Sequence, residues 1–402
     1  MKSSSSRRTF LKSSIALPAA MAAIPASATV AGDKPDEPEA LPMRKLGKNG
    51  PMVTILNLGG MMSAHNPQYL ELAWRMGIRY FDTADCYKNG KSEQDVGEWV
   101  RRNPQRRKDA FIVTKDHPKK GPEQLLTMID KRLENMGIDY MDLFFIHGIG
   151  TGGYGKESLE WPKSDRLRKV FDQLKESGKT RLCGFSCHDK HLVEYLNAAA
   201  EGGFIDAIMF KVNPQMQKGD ELDQALEACH QAGIGLIAMK EMRPFANAPK
   251  QHPKLEGTGL TTHQMVLQKV WSDPRIASIC SAIENIQQME ENTMAARRFD
   301  KPLTPELSES LTEIAALSVS PMCPGCPSCN ALAKQTKYAF DDISRYVTYY
   351  EQDGNAEARN YYRKLSPAQR DFSGVDLAGI RDACQYKVDY PEIARRAELY
   401  FG

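Results

Sequence analysis

Four residue types that can cooperate in moving a proton stand at or just beyond the ends of short apolar runs in this chain. Asp82 closes one run and Tyr87 follows it, both within Gly77-Ile-Arg-Tyr-Phe-Asp-Thr-Ala-Asp-Cys-Tyr87. Lys115 closes Phe111-Ile-Val-Thr-Lys115, and His147 closes Asp142-Leu-Phe-Phe-Ile-His147. A carbonyl that accepts a hydride becomes an alkoxide and needs a proton. Tyrosine can supply it, but with an ordinary pKa of about 10 it is a poor acid at neutral pH. A neighbouring ammonium stabilises the phenolate, and a carboxylate holds that ammonium in place. An imidazole beside the phenol can orient and polarise the carbonyl oxygen. The residue types therefore assign Tyr87 as proton donor, Lys115 as its pKa modulator, Asp82 as the orienter of Lys115 and His147 as the carbonyl-orienting group. Taken singly, each has a plain structural reading: a buried tyrosine, a strand-end lysine, a core histidine.

The elements that must position them follow from pattern. Short apolar runs at Val53–Leu58, Tyr80–Ala84, Phe111–Lys115, Leu143–His147, Leu182–Ser186, Ala207–Val212, Leu236–Lys240 and Ile276–Ser281 read as strands. Helical patterns lie between them, among them Gln124–Met136, Asp165–Glu176, Leu222–Ala232 (with Gly233 as its cap) and Gln264–Trp271. Such alternation argues for a parallel sheet of βα units. Eight strands in about 250 residues is the count of a (β/α)8 TIM barrel, whose chemistry sits at the C-terminal ends of the strands. A doubly wound sheet is the alternative, but no Gly-x-Gly-x-x-Gly follows the first strand, and Gly59-Gly60 alone does not suffice. Beyond Ala296 the alternation stops, and a mainly helical C-terminal module follows. Its tyrosine patches, Tyr346-Val-Thr-Tyr-Tyr350 and Tyr361-Tyr362, read as packing.

Asp82, Tyr87, Lys115 and His147, in this order at strand ends, resemble the catalytic tetrad of the aldo-keto reductases, over a stretch from about Leu41 to about Ala296. The resemblance implies an oxidoreductase that uses NAD(P)H on an aldehyde or ketone, and it implies where the cofactor binds. Gly184-Phe-Ser-Cys-His188 is similar to the family's Gly-Val-Ser-Asn-Phe, so Ser186 matches the serine near the carboxamide, with Cys187 in place of the asparagine. Met209 stands where a glutamine is usual ahead of Asn213-Pro214, and Glu291-Asn292 matches the closing pair that grips adenosine. Lys240, at a strand end, is either a phosphate or substrate contact or a solvated lysine. The cations that pair with a 2′-phosphate are missing: Ala282, Glu284 and Gln288 stand in that region. A dianion without charge-assisted hydrogen bonds binds weakly, so no strong preference for NADP over NAD is expected.

The ends of the chain carry different signals. Ser6-Arg-Arg-Thr-Phe-Leu-Lys12, a weakly apolar run from Ile15 to Ala26 and Ala26-Ser-Ala28 read as a cleavable twin-arginine signal over residues 1–28. The expectation is a protein exported folded to the periplasm by the twin-arginine machinery, with no stable membrane anchor. Losing Lys2, Arg7, Arg8 and Lys12 turns the formal charge of +2 into −2, which leaves no electrostatic footprint for nucleic acid. A flexible leader over 29–40, a barrel over 41–298 and an extension over 299–402 complete the division.

In the extension, Cys323-Pro-Gly-Cys326-Pro-Ser-Cys329 is a C-x2-C-x2-C run, with Cys384 downstream. The chain resembles a subgroup of the family with ferredoxin-like cysteines, which implies one 4Fe-4S cluster on four ligands and a redox partner. The residues alone leave zinc, disulfides or a relic site open. The other cysteines, Cys183, Cys187, Cys229 and Cys280, read as small buried residues, and Cys86, beside the proton donor, as a candidate reactive thiol. A barrel kept only as a binding or electron-transfer subunit is the alternative to an enzyme. The glycine-rich stretch Gly148–Trp161 reads as a mobile loop shaping the pocket, and nothing in it identifies the carbonyl substrate.

Overall fold

The computed structural model describes residues 38–61, 66–216, 218–318, 320–323, 329–333, 335–353 and 356–402. The expected signal, most of the leader and Cys326 lie outside the described residues. The residues from Pro38 onward form one compact unit.

A hairpin comes first: β1 (Met43–Lys45) and β2 (Met52–Thr54) pair antiparallel, with Arg44 opposite Val53. Eight parallel strands follow: β3 (Leu56–Gly59), β4 (Tyr80–Asp82), β5 (Phe111–Asp116), β6 (Met141–Ile149), β7 (Thr180–Cys187), β8 (Ala207–Lys211), β9 (Gly235–Met239) and β10 (Ile276–Ala282). β10 pairs with β3, so the sheet closes into a barrel, and the doubly wound alternative is excluded. Seven of the expected strands lie within two residues of the observed ones. The run Val53–Leu58 is the correction. It divides at Ile55, and its first half belongs to the hairpin, where Leu46 and Val53 join the core of the barrel interior.

Alternation inside the barrel decides where the chemistry lies. Tyr80 on β4, Phe111 and Val113 on β5, and Leu143 and Phe145 on β6 share the interior core with Met209, Ile237 and Met239. With a side-chain period of two, the next inward positions at the C-terminal ends are Asp82, Lys115 and His147. The helices outside are built conventionally. Asp165–Glu176 starts at Ser164, whose hydroxyl accepts from the Leu167 amide. It buries Leu167, Val170, Phe171 and Leu174, one helical stripe, against the strands. Each such side chain is worth about 1.5–3 kcal/mol of burial. Gly233, just past Glu221–Gln231, has φ 78°, the left-handed turn expected of its cap.

After the barrel come Pro305–Leu317, Phe340–Asp353, Ala356–Lys364, Leu377–Ala383 and Tyr390–Phe401 as the longer helices. Their apolar faces share a core with Phe245, Leu255, Met265 and Val266 of the barrel segment, so the extension is fused to the barrel. Tyr346 stacks on Tyr361 at 5.8 Å and Tyr350 packs on Tyr400 at 5.1 Å, as the packing reading expected. No helix among the described residues is long and apolar enough to cross a membrane.

Candidate active site

The structure brings all four tetrad residues together. Lys115 Nζ donates to Asp82 Oδ2 at 2.6 Å and to the Thr83 carbonyl at 2.7 Å, and it lies 3.4 Å from Tyr87 Oη. Asp82 and Lys115 are each only 1% exposed. Tyr87 opens a tight turn in which Lys88, Asn89 and Gly90 all have positive φ (51°, 54° and 83°). The Tyr87 ring meets the His147 ring edge-on at 5.5 Å.

The electrostatics correct one expectation. Burial pushes the Tyr87 phenol well above its ordinary value, and the charge of Asp82 adds to the shift. The Lys115 ammonium is committed to Asp82 and Thr83, so it does not draw the neutral phenol into the acid range. A phenol that stays protonated is the form a proton donor must start from. Burial also raises the Asp82 carboxyl, against the pull of Lys115. His147 is driven down to about 3, by burial first and then by the charge of His117, so its imidazole is neutral at physiological pH.

Two residues escaped the sequence reading. His117 Nδ1 lies 3.2 Å from Asp85 Oδ2, and His147 Nδ1 lies 3.5 Å from Asp85 Oδ1. The two imidazole rings are 4.3 Å apart. Burial would raise the Asp85 carboxyl, but the two histidines hold it well below the usual carboxylate range. His117 was findable, because it continues the inward row two residues beyond Lys115. Asp85 sits in a turn and has no such periodicity. Cys86 is not the activated thiol expected: burial and the Asp85 charge push it well up.

The C-terminal helices reach the rim of the barrel. Lys240, at φ 63° just after β9, hydrogen-bonds the Tyr349 hydroxyl, 4.8 Å from the centre of its ring. Lys211 pairs with Asp341, Arg243 lies 3.4 Å from the same carboxylate, and Asn213 donates to the Tyr386 hydroxyl at 3.1 Å. Burial, then the charges of Arg243 and Arg345, lower Lys240 well below its ordinary value. The solvated-lysine reading of Lys240 is therefore wrong, and Tyr349 is more than packing. The Gly148–Trp161 stretch folds into short helical turns. It is tied to the site by the Tyr154 hydroxyl, which donates to the His147 carbonyl at 2.7 Å.

Residues 56–248 match the description "Aldo/keto reductase family". Over these residues the chain is similar to that family. L-galactose dehydrogenase of Arabidopsis thaliana is 25% identical over 309 residues, 68% of this chain and 93% of that protein. An uncharacterized oxidoreductase of Bacillus subtilis is 26% identical over 292 residues, 63% of this chain and 90% of its own. Among solved structures, an aldo-keto reductase of Klebsiella pneumoniae in complex with NADPH superposes with a TM-score of 0.54 at 19% identity, covering 69% of this chain and 95% of that one. The holo form of a Bacillus halodurans aldo-keto reductase gives the same TM-score at 21% identity, over 68% and 96%.

Within the barrel the expected cofactor residues are spread over β7, β8 and the helix Ile286–Arg297. Ser186 is buried on β7 and accepts from the Gly148 amide at 2.8 Å. Cys187 packs in the layer between strands and helices, its thiol pushed up to about 12 by burial. Met209 is part of the apolar interior. Asn292 donates to Ser281 Oγ at 3.2 Å, while Glu291 pairs with Lys250 at 2.5 Å. That lysine arrives from the segment after β9, beside the region the sequence reads as lacking cations, and is paired with Glu291. In the extension, burial raises the phenol of Tyr390 well above its ordinary value, and Cys323, Cys384 and Cys329 add to the shift. Phe340 closes on the same ring at 5.0 Å. The three thiols therefore lie near one buried phenol.

Proposed function

We propose that this protein reduces an aldehyde or ketone with Tyr87 as proton donor. The observation that carries the proposal is the buried Lys115 ammonium, 2.6 Å from Asp82 and 3.4 Å from the Tyr87 hydroxyl at the rim of the barrel. NAD(P)H, when bound, supplies the hydride. Residues suited to hold it are Ser186 and Asn292, together with two arginines at the rim: among the described residues, buried Arg243 Nε and Nη2 and Arg345 Nε have no hydrogen-bond partner, and such donors match a diphosphate.

The protein's own groups divide the remaining work. Neutral His147 hydrogen-bonds the carbonyl oxygen and orients it. Tyr87 passes its proton to the developing alkoxide. Lys115 stabilises the phenolate that remains, and Asp82 holds the ammonium in place. A barrel that served only as a binding subunit would have no need of a buried lysine against a phenol, and that reading is not favoured. Cys323, Cys326, Cys329 and Cys384 are proposed to hold a 4Fe-4S cluster, with zinc as the alternative, in a chain exported folded by the twin-arginine route. Cluster assembly before export would explain the choice of route.

Oxidation of NADH and NADPH with glyoxal or benzaldehyde tests the enzyme reading. Wild type should turn over and Tyr87→Phe should lose at least about 100-fold in kcat, the size of a lost general acid. Equal rates for the two proteins would end the assignment. Absorbance of the anaerobically purified protein in the iron–sulfur region tests the extension.

A further inference from the structure

Next to the tetrad lies a second group whose geometry it does not use. Asp85, Cys86, His117 and His147 each offer one ligand atom, and the four atoms all lie within 4.8 Å of one another. Asp85 and Cys86 come from the turn after β4, His117 from the end of β5 and His147 from β6. Three neighbouring strands of one rigid sheet therefore supply the four groups.

The separations discriminate between ordinary hydrogen bonding and a metal site. Zinc takes nitrogen and oxygen at about 2.0–2.2 Å and sulfur at about 2.3 Å in a tetrahedron. The edges of that tetrahedron are then about 3.3–3.4 Å for N to O and about 3.6 Å for N to S. The observed contacts are 3.2 Å (Asp85 Oδ2 to His117), 3.5 Å (Asp85 Oδ1 to His147) and 3.8 Å (Cys86 to His147), so a single Asp85 oxygen must turn to serve as the ligand. A good N–H···O bond is shorter, about 2.7–3.2 Å, so only the first contact is well explained that way. Carboxylate bridging also gives no reason for the Cys86 sulfur to approach the same His147 nitrogen.

We propose that Asp85, Cys86, His117 and His147 form a transition-metal site that takes zinc. Two imidazoles, a thiolate and a carboxylate make a borderline-soft donor set, which favours zinc over calcium or magnesium. Support from behind is present: the His117 amide donates to Asp116 Oδ1 at 2.7 Å, and Asp116 in turn lies 3.3 Å from Arg132. Binding releases the thiol proton of Cys86, and coordination through Nδ1 of His147 leaves its proton on Nε2. Closing the ligand separations, which reach at most 4.8 Å, requires side-chain rotation at a turn and two strand ends. The site shares His147 with the tetrad but stands or falls independently of carbonyl reduction.

The test uses the full chain stripped with a chelator and titrated with cobalt(II), followed by displacement with zinc. Wild type should take up one equivalent more than His117→Ala, with the visible bands of tetrahedral cobalt. Cys86→Ser should lose thiolate-to-cobalt intensity relative to wild type. The thiols of the extension contribute alike to all three proteins and cancel in the differences. Equal uptake and superimposable spectra for wild type and His117→Ala overturn the proposal. If metal-free His117→Ala does not fold, the Cys86→Ser difference spectrum decides, and an unchanged spectrum overturns the proposal just as fully. Aldehyde reduction by the metal-free protein is measured separately, so a failed reductase assignment cannot be mistaken for a failed metal site.

Discussion

Replacing Lys115 by methionine removes the charge at the centre of the site while keeping most of the side-chain volume. In wild type the ammonium lies 3.4 Å from the Tyr87 hydroxyl. At an effective dielectric constant of about 20, a phenolate at that distance is stabilised by about 5 kcal/mol. Asp82, 2.6 Å from the same ammonium, offsets part of this, and about 2–3 kcal/mol remains if half is cancelled. A loss of that size is about 30- to 150-fold in kcat. Stability should fall too, by about 3–5 kcal/mol, because Asp82 is left buried without its partner. The assay is aldehyde-dependent oxidation of reduced nicotinamide, paired with urea unfolding. The double variant Lys115→Met/Asp82→Asn separates the two effects, since it leaves no orphan charge. Its stability should recover while its rate stays low. A folded Lys115→Met protein within threefold of wild-type kcat would refute the electrostatic reasoning.

Acid should destabilise the protein from pH 6.5 downward. His147 titrates near 3 when folded and near 6.5 when unfolded, so between those values the unfolded state binds the extra proton. Stability should fall by about 1.4 kcal/mol per pH unit for this group, and His188, also lowered by burial, acts with the same sign. Glu241, pushed up to about 7 by burial, acts with the opposite sign, so the check compares the pH dependence of the urea midpoint in wild type and His147→Gln, and identical dependences would contradict this. NAD and NADP should bind with similar affinity, and Glu291→Gln should free Lys250 and improve NADP binding about two- to fivefold. Fluorescence titration with both nucleotides checks it, and a large wild-type preference for NADP would show that the 2′-phosphate partners were misplaced. Gly97→Ala should cost about 1–3 kcal/mol by overpacking, because a Cβ there would stand 1.7 Å from the Met136 carbonyl oxygen. An unchanged melting temperature would refute that close approach.

Much of the site was legible because strand periodicity carries it. Once Phe111–Lys115 and Leu143–His147 read as barrel strands, the inward alternation and the strand ends placed Lys115 and His147 on one rim. Asp82 followed from Tyr80, and Tyr87 from its short distance beyond Asp82. The split of Val53–Leu58 was not legible, since a continuous apolar run does not reveal where a chain leaves a hairpin and enters a barrel. Lys240 read equally as a ligand contact or a solvated strand-end residue because the element that covers it, Phe340–Asp353, lies about a hundred positions downstream.

Local pattern, then, was enough to specify the strands and a proton-transfer set at their ends, because those properties depend on periods of two and on neighbours in the chain, while closure through β10 and β3 joins the two ends of the barrel segment. Contacts between loops from different strands had to await the tertiary structure. The meeting of Asp85 with His117 and His147, the pairing of Lys250 with Glu291 and the roof that Tyr349 forms over Lys240 all join residues whose spacing has no period. Their proximity arises when barrel closure brings successive rim loops side by side and a second hydrophobic core pulls the C-terminal helices onto them.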